Sequence, residues 1–400
     1  MKNPPANAAT ALTVIATATK TAKSDTLILG GVVRPFTLNF TPIHVSGVVD
    51  RGSGVEHQHI ANTMRHVCFT LFVLAVTSLG LRGEEHSIDQ VDTVDENNGI
   101  EVLRLRPNFF MIAGAGANIA VQVGKLGAVV VDTGSGQATD RVLQEIRKLT
   151  PLPIRYIINT SADPDHVEGN EKLSAAGQSL IPATGQTGGI AITDALSNGG
   201  AAAILATDNL AARMSAPSGQ KSAYPVAAQP SDTFSDDEKD TFLNGEAIQI
   251  FAQRAAHTDG DSVAFFRRSD VVVAGDILDT TRFPVIDHSR GGSIQGEIDA
   301  LNHIIGLTVT ELPLVWQEGG TLVIPGHGRI CDEADVVEYR DMVTIIRDVI
   351  QDEIAKGKTL EQIKMSDPAG DYRTRYGSDT GAWTTDMFVE AVYRSLTQKK

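Results

Sequence analysis

Histidine and aspartate residues cluster at four places in this 400-residue sequence, each associated with a short apolar run. The clusters lie within 156–166, 256–262, 272–276 and 322–328. Imidazole and carboxylate groups brought together from separate strand ends are the ligands that a divalent cation such as zinc prefers. Because the chain has only two cysteines, any bound metal must be held by His, Asp and Glu. The clusters therefore predict a His/Asp metal centre.

The composition limits the kinds of binding partner that can be expected for this chain. Lys and Arg number 34 against 49 Asp and Glu, which gives a net charge of −15. This balance argues against binding to nucleic acid or to an anionic membrane, both of which require a basic surface. We therefore expect a small-molecule substrate, and the oligomeric state stays open. With 42% hydrophobic and 21% charged residues, the chain has the composition of a globular protein.

The elements that must position these residues alternate between strands and helices. Short β-prone runs between turn residues predict strands at 109–112, 119–123, 128–131, 154–158, 248–252, 262–266, 270–274 and 321–324. Apolar residues at helical spacing predict helices at 138–149, 170–176, 201–214, 296–306 and 333–356. Strands that recur with helices imply stacked sheets whose outer faces are covered by helices.

The first 83 residues differ from the rest. Residues 64–83 combine a short basic lead, an apolar run and small residues, as in a secretory signal peptide, and the run is too short for a permanent membrane anchor. We therefore expect a periplasmic or secreted protein, with 1–63 a disordered or mis-annotated extension. Residues 84–400 are expected to form one domain, with an insertion at about 183–231 and helices at its C-terminus.

The clusters together resemble the metallo-β-lactamase superfamily over nearly all of 101–400. The segment 160–170 reads Thr-Ser-Ala-Asp-Pro-Asp-His-Val-Glu-Gly-Asn and is similar to the family motif Thr-His-x-His-x-Asp-His-x-Gly-Gly/Asn. His257, Asp276 and His327 match the later metal-binding histidine, the bridging carboxylate and the last ligand. The resemblance implies an α/β fold, the four-layer αββα sandwich of this family.

Two positions depart from the family motif, since Ser161 and Asp163 stand where the family carries histidines. One implied metal position keeps a complete ligand set, and the other is incomplete because Ser161 offers only a weak hydroxyl. We expect zinc at the complete position, although a carboxylate at 163 also suits iron or manganese. The implied ligands of the complete position are Asp165, His166, Asp276 and His327. Those of the incomplete position are Asp163, His257 and the shared Asp276.

The resemblance implies metal-assisted hydrolysis of an ester, thioester, lactone or β-lactam type of bond. Asp165 is the candidate catalytic residue, because it could orient water or accept its proton. Asp132 and Ser161 are expected to support the ligands without binding metal themselves. The alternative is a catalytically inactive binding protein that kept the fold with an incomplete metal centre. Metal content together with turnover of a substrate panel separates the two.

Overall fold

The computed structural model describes residues 99–180, 200–215, 221–310 and 319–398, all of which belong to one unit, His86–Lys400. The signal peptide predicted at 64–83 and the extension predicted at 1–63 lie outside the described residues. Within the described ranges, no helix is both long and apolar enough to span a membrane.

The first sheet has seven strands in sequence order. They are β1 (Glu101–Arg106), β2 (Phe109–Ala113), β3 (Ile119–Gly124), β4 (Gly127–Val131), β5 (Ile154–Ile158), β6 (Ala203–Thr207) and β7 (Asp232–Phe234). Strands β1 to β4 pair antiparallel, and β4 to β7 pair parallel.

The second sheet has five strands in the order β12-β11-β10-β9-β8. They are β8 (Glu238–Leu243), β9 (Glu246–Gln253), β10 (Asp261–Phe266), β11 (Val271–Asp279) and β12 (Leu322–His327). All neighbours pair antiparallel except β11 and β12, which run parallel.

The helices connect these strands and follow the last of them. They are α1 (Thr139–Leu149), α2 (Pro164–Val167), α3 (Asn170–Ala175), α4 (Asp208–Met214), α5 (Ile294–Leu307), α6 (Glu333–Ala355), α7 (Leu360–Met365), α8 (Arg373–Tyr376) and α9 (Thr385–Thr397). Side-chain caps fix where the long helices begin. Ser293 accepts the Gly296 N–H at the start of α5, and Asp332 and Asp335 form a capping box at the start of α6.

Side chains that alternate along the strands form a core with three regions, one between the two sheets and one between each sheet and its outer helices. Val129 and Val131 of β4 pack between the sheets, whereas Val130 packs against the outer helices α1 and α3. Phe109 and Phe266 meet edge to face between the sheets, with ring centroids 4.7 Å apart. The outer face of the second sheet packs against α5, α6 and α9. The layers are therefore helix, sheet, sheet and helix, which is the predicted αββα sandwich.

Two predicted elements differ from the structure. The helix predicted at 201–214 is wrong for Ala203–Thr207, which forms β6, and only Asp208–Met214 is helical. Ala-rich sequence favours a helix, but pairing with β5 places Leu205 between the sheets and Ile204 against the helices. The strand predicted at 270–274 continues to Asp279, with an irregular register at Gly275, so Asp276 lies inside the strand rather than after it.

A buried carboxyl on α5 makes the stability of this fold depend on pH. Glu297 is fully buried, and neither of its carboxylate oxygens has a hydrogen-bond partner among the described residues. Burial raises the pKa of Glu297 well above its usual 4.5, and the charge of Asp261 adds to the effect. Above pH 4.5 the unfolded chain therefore loses a proton that the folded protein keeps, and the free energy of unfolding falls as pH rises.

Glu297→Gln is expected to remove this loss of stability, because the amide has no proton to lose. Between pH 5 and 8 this group lowers the wild-type free energy of unfolding by up to about 1.4 kcal/mol per pH unit, until the raised pKa is reached. Urea unfolding at pH 5 and pH 8 measures the difference between variant and wild type. The control is Glu101→Gln, at an exposed position in β1. Equal pH slopes in wild type and Glu297→Gln would contradict the prediction.

Candidate metal centre

The polar clusters meet at one end of the two sheets. Asp132 follows β4, and the segment Asn159–His166 follows β5, so both lie at the carboxyl ends of parallel strands. His327 ends β12, and the loop that carries His257 enters the antiparallel β10 at the same edge. Ser262 at the start of β10 donates its backbone N–H to the carbonyl of Thr160, 3.0 Å away, which joins the two sheets here.

Asp132 is the buried anchor of the segment after β5. Its carboxylate accepts the backbone N–H of Thr160 at 2.8 Å and the Thr160 hydroxyl at 2.5 Å. The backbone of Asp132 has φ of 61°, a left-handed conformation that Asp tolerates better than most residues. Gly275 lets β11 pass closely, since a Cβ there would lie 2.5 Å from the Thr160 hydroxyl oxygen. The turn after β4 therefore fixes the position of the motif.

The same carboxylate orients His166. Nδ1 of His166 lies 2.8 Å from Oδ2 of Asp132, and His166 is fully buried. Because a carboxylate only accepts, Nδ1 carries the donated proton and Nε2 is left facing the centre. His166 Nε2 lies 3.0 Å from Oδ1 of Asp276. Carboxylate–imidazole pairs of this kind orient the histidine ligands of metal sites.

Two groups of side chains have the spacing of a metal site. Asp165, His166 and His327 form one, and Asp163, His257 and Asp276 form the other, with the potential ligand atoms within each group no more than 4.8 Å apart. Asp276 links the two groups, because Oδ1 lies 3.6 Å from His327 Nε2 and Oδ2 lies 3.7 Å from His257 Nε2. The structure thus brings together the six predicted ligands.

A second brace holds His327 in place. The side-chain amide of Asn118, in the turn between β2 and β3, donates to the carbonyls of Pro325 and Gly328 at 2.9 and 3.0 Å. The backbone N–H of Asn118 donates to Gly326 at 2.8 Å. These bonds fix the backbone on both sides of His327. The Nε2 atom of His327 lies 3.2 Å from Oδ2 of Asp165. The sequence pattern did not predict that Asn118 positions the backbone around His327.

The first group fits a divalent cation. Two ligands about 2.1 Å from one tetrahedral ion lie about 3.4 Å apart. The separations of 3.2 Å between His327 and Asp165 and 3.0 Å between His166 and Asp276 are close to this value. Both separations suit one ion that is also held by Oδ1 of Asp276, which lies 3.6 Å from His327 Nε2. Oδ2 of Asp276 faces the second group instead, 3.7 Å from His257 Nε2, and has no hydrogen-bond partner among the described residues.

The second group contains a cation already. Nη1 of Arg290 donates to Oδ1 of Asp163, and Nη2 lies 3.5 Å from Nε2 of His257. His257 is held from the other side, because its Nδ1 lies 2.8 Å from the carbonyl of Val285. The sequence pattern did not single out Arg290, which lies just before two glycines in the segment 287–292.

Ser161 contributes to the local turn. Its hydroxyl oxygen accepts the backbone N–H of Asp163 at 3.2 Å, and the side chain is fully buried. This bond shapes the entry to the short helix α2, which carries Asp165 and His166. Of the two residues predicted to support the ligands, Asp132 contacts a ligand side chain and Ser161 contacts only backbone.

The ionisable groups of the centre attract positive charge strongly. Burial alone would lower the pKa of His166, but the charges of Asp276 and Asp132 outweigh it and raise the pKa well above its usual value. Burial would raise the pKa of Asp276, but the charge of His166 outweighs it and lowers the pKa. A bound cation satisfies the same carboxylates, so metal and protons compete for this centre.

Asp163 and Asp165 are also held as carboxylates. Burial would raise the pKa of Asp163, but hydrogen bonds from His257 and Arg290 outweigh it and lower the pKa to about 2. Burial likewise opposes ionisation of Asp165, yet the hydrogen bond with His327 outweighs it and lowers the pKa. Both side chains are therefore negatively charged near neutral pH.

A cavity of about 190 Å³ opens onto the two groups. Beyond the ligands it is lined by residues from β11, from the loop after it and from the segment before α9, namely Asp279, Arg282, Val285, Ala382 and Trp383. Arg282 is paired with Asp279 at 2.5 Å, whereas the indole N–H of Trp383 is buried and has no partner among the described residues. The cavity wall next to the candidate ligands therefore includes an arginine that is already paired and a tryptophan.

A larger cavity, of about 990 Å³, lies at the other end of the strands. It is lined by strand-connecting turns, which include Gly124–Leu126 before β4 and Arg268–Asp270 before β11. The candidate metal ligands do not line it. Although this cavity is larger, the clustered ionisable groups lie elsewhere, so it is not the candidate active site.

Comparison with solved structures finds proteins of low sequence identity to this chain. The DIM-1 metallo-beta-lactamase is 17% identical, with a TM-score of 0.42, and the match covers 61% of this chain and 97% of that one. A metallo-beta-lactamase from Pontibacter korlensis is 14% identical, with a TM-score of 0.43 and coverage of 61% and 99%. The sec-alkylsulfatase Pisa1 from Pseudomonas sp. is 13% identical, with a TM-score of 0.48 and coverage of 73% and 49%.

Comparison with curated proteins finds no match. The sequence model of the Metallo-beta-lactamase superfamily matches residues 113–327, which run from the end of β2 to His327 and include every candidate ligand. This match covers more than half of the chain. The chain therefore belongs to the metallo-beta-lactamase superfamily.

Proposed function

We propose that this chain is a metal-dependent hydrolase that cleaves an ester, thioester, lactone or β-lactam type of bond. The observation that carries the proposal is the complete group of donors. Asp165, His166, His327 and Oδ1 of Asp276 converge at spacings that suit one cation, with His166 oriented by Asp132. Buried ionisable groups of this kind, gathered at the wall of a cavity, are typical of active sites.

The cation is proposed to be zinc, held by Asp165, His166, His327 and Asp276, and the oxygen-rich donor set also suits iron or manganese. When bound there, such an ion supplies Lewis acidity, which polarises the bond to be cleaved and makes water more acidic. The carboxylate of Asp165 is the most exposed of these ligands, at 36% of its side chain, and is proposed to orient the attacking water and accept its proton.

The remaining groups serve the substrate. Trp383 and Arg282 line the cavity and are proposed to contact a bound substrate. A cavity of about 190 Å³ accommodates the reacting end of a small molecule, whose remainder extends into solvent. A small-molecule substrate also agrees with the net charge of −15.

Asp276→Ala is expected to abolish both metal retention and hydrolysis, because the carboxylate borders both ligand groups. We expect metal affinity and turnover to fall by more than about 100-fold, beyond the losses seen when only an outer partner of a ligand is removed. Metal content after dialysis and turnover of p-nitrophenyl acetate, a thioester, an acyl lactone and a chromogenic β-lactam measure the two effects. Asp299→Ala, on the exposed face of α5, is the matched control.

Two outcomes would contradict the proposed function. Wild-type protein that retains no metal and turns over none of the panel would favour the alternative of an inactive binding protein. Full activity in Asp276→Ala would show that hydrolysis, if present, does not depend on this centre.

Asp132→Asn tests whether the buried carboxylate orients His166. Asn keeps the left-handed backbone accessible and can still accept the Thr160 N–H, but it lacks the charge that fixes the proton on Nδ1 of His166. We expect metal affinity to weaken by about 10–100-fold. Competition with a chromophoric chelator measures the affinity. Ser161→Ala, which removes only a bond to backbone, is expected to have the smaller effect, and equal effects in the two variants would contradict the assignment.

We also propose that the protein acts in the periplasm or outside the cell. The support is the sequence of 64–83, with a basic lead, an apolar run and small residues at its end. Expression of the full-length gene in a Gram-negative host is expected to give a mature product that begins near Leu81. N-terminal sequencing of the exported protein checks this, and an uncleaved product in the cytoplasm would contradict it.

A further inference from the structure

The guanidinium of Arg290 lies where the second ligand group converges. It contacts Asp163 through Nη1, approaches His257 through Nη2, and donates from Nε to Oδ2 of Asp287 at 2.5 Å. Asp163 is shared between the two cationic partners, since Oδ1 accepts from Arg290 and Oδ2 lies 3.2 Å from Nε2 of His257. Two of the three members of this group therefore already contact a positive charge.

The chain fixes Arg290 in this position through its backbone. The carbonyl of Arg290 accepts from the Arg213 guanidinium at 2.6 Å and from the backbone N–H of Asp259 at 2.9 Å. Asp287 also donates its backbone N–H to the carbonyl of His257 at 3.0 Å. The loop is pressed so closely against His257 that a Cβ at Gly292 would lie 2.1 Å from the His257 carbonyl oxygen. These contacts oppose a swing of Arg290 away from Asp163 and His257.

The donor set of this group matches a guanidinium better than a metal ion. A planar guanidinium donates to carboxylates and remains charged at any physiological pH. An ion placed among Asp163, His257 and Asp276 would be close to this fixed positive charge and would be repelled by it.

The two departures from the family motif fit this arrangement. A carboxylate at position 163 can accept from Arg290, whereas an imidazole there would offer a single lone pair at most. The hydroxyl at position 161 is engaged by the backbone N–H of Asp163. The replacement of two histidines thus accompanies the presence of an internal cation, and the group does not fit a second metal ion.

We propose that the guanidinium of Arg290 takes the place of the second metal ion, so that this chain binds one ion per molecule, in the group of Asp165, His166, His327 and Asp276. Arg290 is a positioning residue, which holds Asp163 and His257 at the edge of the cavity and supplies a positive charge that cannot dissociate. This inference rests on the metal binding of the proposed function.

The test is the metal stoichiometry of the full-length protein and of Arg290→Met, which keeps an unbranched side chain but removes the guanidinium and its charge. Each protein is titrated with Co²⁺, followed by its visible absorption, and its zinc content is measured after equilibrium dialysis. Wild type is expected to saturate at one ion per chain, and Arg290→Met at two, with the second ion bound more weakly. The readout is independent of catalytic activity.

Two further variants separate charge from geometry. Arg290→Lys keeps the positive charge next to Asp163 and is expected to remain at one ion. Arg282→Met removes the arginine that lines the cavity and is paired with Asp279, and it is also expected to remain at one ion. Thermal unfolding of each variant shows whether it folds before its metal content is interpreted.

The outcomes distinguish this inference from the proposed function. Two ions in wild type would overturn the inference and leave the proposed function intact. One ion in a folded Arg290→Met would also overturn it, because Arg290 would then not be what occupies the second group. A wild-type protein that binds no ion would overturn both. The wild-type titration decides the stoichiometry even where Arg290→Met fails to fold.

Discussion

Repulsion among closely spaced, partly buried carboxylates is the constraint on which this centre depends. Asp163, Asp165 and Asp276 are brought to one edge of two sheets, and Asp132 is buried directly behind them. Carboxylates this close are stable as anions only next to compensating positive charge. Imidazoles, one guanidinium and a bound cation can supply that charge, and the strand ends are arranged so that each carboxylate faces one of them. The sandwich is the scaffold that makes this convergence rigid.

The compensation is specific because two of the three histidines of the centre are oriented through their second nitrogen. His166 is held through Nδ1 by the Asp132 carboxylate, and His257 through Nδ1 by the carbonyl of Val285. In both, Nε2 is turned toward Asp276. Asp276 therefore lies between the two imidazoles, with one oxygen toward each ligand group. The irregular register of β11 at Gly275 is what places this carboxylate at the edge of the sheet from inside a strand.

The parts of the site that could be predicted from the sequence are those coded by local pattern. The segment from Asp163 to His166 is short, follows an apolar run and carries its ligands at fixed spacing. Both the residues and their position after β5 could therefore be predicted. The residues that contact them from distant parts of the chain could not be predicted. Asn118 and Arg290 act on residues about 200 and 127 positions away, through contacts that leave no periodicity in the chain. For the same reason the Ala-rich β6 was predicted as helix, because its pairing with β5 outweighs local propensity.

The replacement of Ser161 and Asp163 can be explained physically without loss of the centre. A metal ion and a guanidinium both neutralise carboxylates, but an ion exchanges ligands and a guanidinium does not. In the proposed arrangement, Arg290 stabilises the charge of Asp163 permanently, and the group around His166 and His327 would hold the exchangeable ion that chemistry on a substrate requires. Decay of the motif would be expected to leave Asp163 buried without a partner. Its pairing with both His257 and Arg290 instead supports the proposal that a guanidinium of the chain replaces one of two cations.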